Sequence, residues 1–159
     1  MKRAAWSLII ACLLSIPGLQ AQQPQPPPTL GPSGPSLEGP NTATTTDRNR
    51  LIHMRTIYIE RIDNQLSDKL IEDLSGSALV RVVDKPGDAD AILRGTCFSS
   101  RHMKQVHSEV FISDRSAGTS IWQDVVRVPF NPPALSKAVD NTAAQVLAHL
   151  ARSIRAAGR

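Results

Sequence analysis

Four histidines, two cysteines and two aspartates two positions apart are the residues of this 159-residue chain whose types invite chemistry. A metal centre needs several His, Cys or carboxylate groups at short spacing. His102 and His107 are five apart, and on one strand that odd spacing sends them to opposite faces. His53, ahead of a strand pattern, and His149, in a helical one, have no Cys or carboxylate at ligand spacing. No metal and no cofactor are expected. Asp88 and Asp90 have the spacing of an acid/base pair, but they follow Lys85-Pro86-Gly87 in a turn, where solvated carboxylates are ordinary. There is no Gly-x-Ser-x-Gly elbow, Gly-rich phosphate loop or His-Glu-x-x-His. A non-enzyme is therefore expected. The alternative is a small secreted hydrolase of an envelope polymer, using Asp88/Asp90 or a His102-centred site.

The elements that must position these residues occupy only part of the chain. Lys2 and Arg3 precede an apolar run over residues 4–14, Pro17-Gly18 follows, and Leu19 and the small Ala21 stand at the two positions that signal peptidase inspects. A charged start, a short apolar run and a small residue at the cut describe a secretory signal peptide, here residues 1–21, cleaved after Ala21. The run falls short of the ~20 apolar residues that span a bilayer. Ile9-Ile10-Ala11-Cys12 also resembles a bacterial lipobox, which would make Cys12 a lipidated first residue and the chain an outer-membrane lipoprotein. Residues 22–50 hold seven of the 12 prolines and almost no large apolar group. Such a stretch cannot offset the entropy of ordering and reads as an extended, disordered linker.

Removing Lys2 and Arg3 leaves 16 Lys+Arg against 14 Asp+Glu, a balance of +2. So small a balance gives no footprint for nucleic acid. Membrane attachment is expected only through a lipid on Cys12. Arg81, Arg94, Arg101, Lys104 and Arg127 read as ordinary surface charge offset by Asp68, Glu72, Asp73 and Glu109, while Arg152 and Arg155 suit the C-terminal end of a helix. Cys97 sits inside a strand pattern and reads as a buried small hydrophobe.

Residues 51–159, 109 in all, are enough for one core. Strands are predicted over residues 55–62, 79–84, 91–99, 106–115 and 120–128 from β-favouring, alternating composition. Within 106–115, Val106, Val110 and Ile112 point one way and His107 and Glu109 the other. Leu66, Leu70 and Leu74 define a first helix after Asp63-Asn64. Val139, Ala143, Val146, Leu150 and Ile154 define a second, opened by Asn131 as cap and Pro132 in the first turn. The order β-α-β-β-β-β-α predicts an α+β fold: a mixed, mostly antiparallel sheet with two helices on one face and the first β-α-β parallel.

Two segments within that order are distinctive. Ala89-Asp90-Ala91-Ile92-Leu93-Arg94-Gly95-Thr96, then Val110-Phe111-Ile112-Ser113-Asp114-Arg115-Ser116-Ala117-Gly118-Thr119-Ser120-Ile121-Trp122, resemble a signature of small bacterial envelope domains. These occur in the curli-secretion lipoproteins, the penicillin-binding-protein activator lipoproteins and the amino-terminal domain of the Tol-system protein TolB. Ala117 departs from the pattern, which usually has Thr there, and the link at 100–105 is short. Physics gives the motif structural roles: Asp90 caps backbone N–H groups, Gly95 permits close approach, and Trp122 supplies area. The resemblance implies an exported protein of the periplasm or cell envelope. It would be an adaptor or assembly factor that meets a protein partner, or itself, through a sheet edge or hairpin, with Phe111, Arg115 and Trp122 as candidate contacts.

Overall fold

A computed structural model describes residues 42–131 and 133–158. The signal segment, Ala21, Cys12 and most of the expected linker lie outside the described residues. Nine regular elements follow in order: β1 (Thr44–Thr45), α1 (Arg48–His53), β2 (Thr56–Ile59), α2 (Leu66–Ser75), β3 (Arg81–Val82), β4 (Ala91–Ser100), β5 (Gln105–Asp114), β6 (Ser120–Pro129) and α3 (Leu135–Ala157). One six-stranded sheet runs β1-β6-β5-β4-β2-β3. β2 is parallel to β3 and β4, and the remaining pairs are antiparallel. The expected α+β architecture, with its parallel β-α-β start, is what the chain adopts.

Three departures have physical causes. The domain begins before residue 51: Thr44–Thr45 pairs with β6, and Asp47 caps α1 by accepting from the Arg50 N–H at 2.9 Å. Side-chain capping of this kind is invisible to hydrophobic periodicity. The strand expected over 79–84 shrinks to Arg81–Val82, an edge with one partner. And α3 starts at Leu135 with Ala134 as N-cap and no side-chain cap bond, while the Asn131 carbonyl accepts from the Ala134 N–H at 2.9 Å.

Alternation along the long strands decides the layers. Ala91, Leu93 and Cys97 of β4, Val106, Val110 and Ile112 of β5, and Trp122, Val126 and Val128 of β6 are buried. They pack with Leu66, Leu70 and Leu74 of α2 and Val139, Ala143, Val146 and Leu150 of α3. At ~1.5 Å per residue, the 23 residues of α3 run ~34 Å, matching the ~33 Å of a ten-residue strand. β4, β5 and β6 outrun their neighbours: β2 pairs with β4 only at Ala91–Leu93, and β1 with β6 only at Trp122 and Gln123. The far half of these three strands forms a tongue that ends at the 101–104 turn. Gly95 holds the tongue tight, since a Cβ there would lie 2.3 Å from the Glu109 carbonyl oxygen. The close approach anticipated at Gly95 is thus made by the backbone of β5.

Candidate interaction surface

Inward residues of β4–β6 face the helices, so the alternate residues face out, and no described element covers them. Register sets them in rows. Phe98 lies beside His107 and Arg127, Thr96 beside Glu109 and Val125, and Arg94 beside Phe111 and Gln123. The Phe98 and His107 rings stack with centroids 5.7 Å apart. Arg127 Nε donates to His107 Nδ1 at 3.2 Å, which leaves Nε2 to carry the ring proton toward Glu109 Oε1, also at 3.2 Å. A cation, an imidazole and a carboxylate are thereby lined up beside an open aromatic ring. Phe98 is 55% exposed and Phe111 37%. Such a mixture suits a partner that offers both apolar area and hydrogen bonds.

The expected contact residues part company here. Phe111 is on the open face. Arg115 is exposed in the β5–β6 turn, where its Nε donates to the Ala89 carbonyl at 2.7 Å and ties the turn to the start of β4. Trp122 is fully buried, and its indole N–H donates to Ser153 Oγ at 3.0 Å. It belongs to the core and not to a contact surface. The reason is register: Trp122 pairs with inward Ile112, whereas Phe111 pairs with outward Gln123.

The residues weighed for chemistry are dispersed. Asp90 Oδ2 accepts from the backbone N–H groups of Arg55 at 3.0 Å and Thr56 at 2.9 Å. Those two N–H groups, with smaller help from the Thr56 hydroxyl and the Arg115 charge, hold its carboxyl below the usual carboxylate range. Asp114 accepts from the Ser116 hydroxyl and the Ala117 N–H, both at 2.6 Å, and from Arg50. Its carboxyl is likewise held well below the usual range, by the Ser116 hydroxyl first. Both are structural anions. Asp90 precedes the first residue of β4 and His102 follows its last, which separates them by ~30 Å along the strand. His102 is in the exposed turn rather than on a strand with His107, and His53 Nδ1 lies 2.7 Å from the Asn49 carbonyl oxygen in α1. Among the described residues, no three His, Cys, Asp or Glu side chains gather as a metal would need.

One pairing escaped the sequence. His149, which stands alone in α3 by sequence, meets Asp124 of β6: Nδ1 to Oδ2 is 2.7 Å, with side chains 1% and 0% exposed. Asp124 Oδ1 also accepts from Thr42 Oγ1 at 2.6 Å and from the Val125 N–H at 2.9 Å. A carboxylate at an inward strand position and a His on an apolar helix stripe were the available signals. Only the docking of α3 on β6 joins them.

No family model matches the chain, and no curated protein matches it. Solved structures do. The PelC dodecamer from Paraburkholderia phytofirmans is 15% identical with a TM-score of 0.48, covering 68% of this chain and 94% of that one. TolB from Acinetobacter baumannii is 13% identical with a TM-score of 0.45, covering 60% of this chain and 28% of that one. Lipoprotein GNA1162 from Neisseria meningitidis is 13% identical with a TM-score of 0.38, covering 58% of this chain and 96% of that one. A TolB and a lipoprotein, kinds of protein named above from the motif, are thus among the similar structures. No described helix is long and apolar enough to cross a membrane.

Proposed function

We infer that this chain is an exported, non-enzymatic binding module of the cell envelope that meets a protein partner through the open face of β4–β6. The observation that carries this reading is the outer row Arg94–Phe111–Gln123, with Glu109 and Val125 beside it, which no described element covers, on a sheet whose other face packs against helices. Phe111 is the anchor, and Arg94 and Glu109 supply rim charges of opposite sign. Asp90, one of the two carboxylates weighed for acid/base work, is held by two backbone N–H groups, which supports a binding role over a hydrolytic one. The Pro-rich stretch before the domain serves as a spacer that lets the face reach its partner.

The test is Phe111→Asp, with Arg94→Glu as a second variant, in the full chain expressed by an exporting host. The native chain is expected to migrate in envelope extracts in a complex larger than its own mass. Both variants should be folded and released from it. A native chain that runs as a free monomer, or variants that stay in the complex, contradicts the reading.

A further inference from the structure

The far end of the tongue carries a charge and exposure pattern that partner docking on the outer face does not use. Its turn reads Arg101-His102-Met103-Lys104, with all four residues exposed. Met103 is 61% exposed and Phe98, on the adjoining shoulder, 55%; these are the two most exposed large apolar side chains among the described residues. Beside them Lys137 and Lys104 line a groove of about 610 Å³ with Met103, Phe130 and Asn131. Residues 98–108, 125–131 and 133–139, which build this end, contain Arg101, Lys104, Arg127 and Lys137 and no Asp or Glu. Asp63 approaches from the side, its neighbour Asn64 donating to the Cys97 carbonyl, and Asp140 is held by Lys69 at 3.3 Å. Among the described residues, Arg101, Lys104 and Lys137 have no carboxylate partner.

Two of these cations stand where a local preference is against them, of the backbone for one and of the helix dipole for the other. Lys104 has φ +49°, the left-handed region that favours Gly or Asn. It is fixed there because its carbonyl accepts from the Phe130 N–H at 2.8 Å, while the Met103 N–H donates to Ser100 Oγ at 3.1 Å. Lys137 lies in the first turn of α3, at the positive end of the helix dipole, a turn without any acidic residue. Residues that break local rules at one place point to a task for their side chains.

Thr45 pairs with Trp122 and Thr44 with Gln123, antiparallel to β6, and Thr42 reaches Asp124, so the first described residue lies farther toward the Pro129 end of β6 than Thr45 does. We propose that the Arg101–Lys104 turn, with Lys137 beside it, is a docking tip for an anionic lipid bilayer. Its cations meet headgroup phosphates, and Met103 enters the interface. An apolar side chain set among unpaired cations fits a lipid surface better than a soluble polyanion, which gives the cations partners but leaves Met103 in water. A few cations contribute about 1 kcal/mol each at an anionic surface, so the binding expected of the tip is weak and salt-sensitive. The exported reading decides only which membrane is met in the cell.

The test uses the processed chain recovered from an exporting host, with mixed phosphatidylglycerol–phosphatidylcholine vesicles and pure phosphatidylcholine vesicles. Binding should prefer the mixed vesicles, weaken with salt, and fall roughly 30-fold in Arg101→Gln/Lys104→Gln, about fivefold per cation. Lys85→Glu, at the other end of the sheet, should bind better than that double variant. An environment-sensitive label at Met103→Cys, read against the unsubstituted chain, should shift to the blue on mixed vesicles, and the same label at Ala117→Cys should not. Equal binding by the double variant, equal binding to both vesicles, or an unshifted label at 103 overturns the proposal. So does a tip variant whose only effect is on the mass of the free protein, which would assign the tip to a second copy. Phe111→Asp should keep full vesicle binding, so failure of the partner reading and failure of this one are separate results.

Discussion

Asp124 and His149 show how much one buried pair can hold. Asp124 satisfies His149, Thr42 and its neighbour's N–H at once, and so stitches α3, β6 and the first described residues together. Removing one member leaves the other polar and buried. Asp124→Ala is expected to cost about 3–5 kcal/mol in denaturant unfolding, whereas Asp124→Leu/His149→Leu, which removes both, should lose less than either single variant. Additive losses would show that the pair is not coupled. Asp90 acts at the surface. Its pKa is lowered on folding, so its stabilising contribution is present above the unfolded carboxylate value of about 3.9 and vanishes as pH falls through the lower folded value. Stability should therefore drop as pH is lowered below about 4, and Asp90→Asn should flatten part of that slope, with Asp114 supplying more of it. An unchanged slope in Asp90→Asn, followed by urea melts across the acid range, would refute this role.

Glycine marks where strands come closest. At Gly95 a Cβ meets the Glu109 carbonyl at 2.3 Å and Val110 Cα at 3.1 Å, while at Gly87 nothing lies within 4 Å. Gly95→Ala should lower stability by about 1–3 kcal/mol or more, and Gly87→Ala should change it by about 0.5 kcal/mol or less. Comparable melts for the two would contradict the packing of β4 on β5. The same strands show what the sequence could tell. Alternation in β5 was legible because Val106, Val110 and Ile112 are spaced by even steps, and their burial follows. The leucine stripe of α2 was legible for the same reason. Strand pairing was not: it is a relation between distant segments, so the Phe98–His107–Arg127 row and the inward turn of Trp122 emerge only with register. β1 and α1 were missed because a two-residue strand and a six-residue helix are too short to show a period.

At the scale of the molecule, one half of the sheet is stitched on both edges and the other projects as three strands. Helices cover one face of the projecting half, while no described element covers the other. That asymmetry separates two surfaces: a broad outer face centred on Phe111 and a basic tip at Met103. Neither resembles a catalytic cleft. The alternation of β5 foretold that His107 and Glu109 would face away from the core, and Phe111 shares that face. That this side stays uncovered depends on both long helices packing against the other, which no single segment encodes. The most direct measurement of the account is site-specific photo-crosslinking in the exporting cell, with the photoreactive residue at Phe111 in one chain and at exposed Ile71 of α2 in another. A discrete protein adduct at 111, absent at 71 and lost when Arg94→Glu is added, is the expected result. Adducts at 71 and none at 111 would contradict the claim that this protein works through the open face of its sheet.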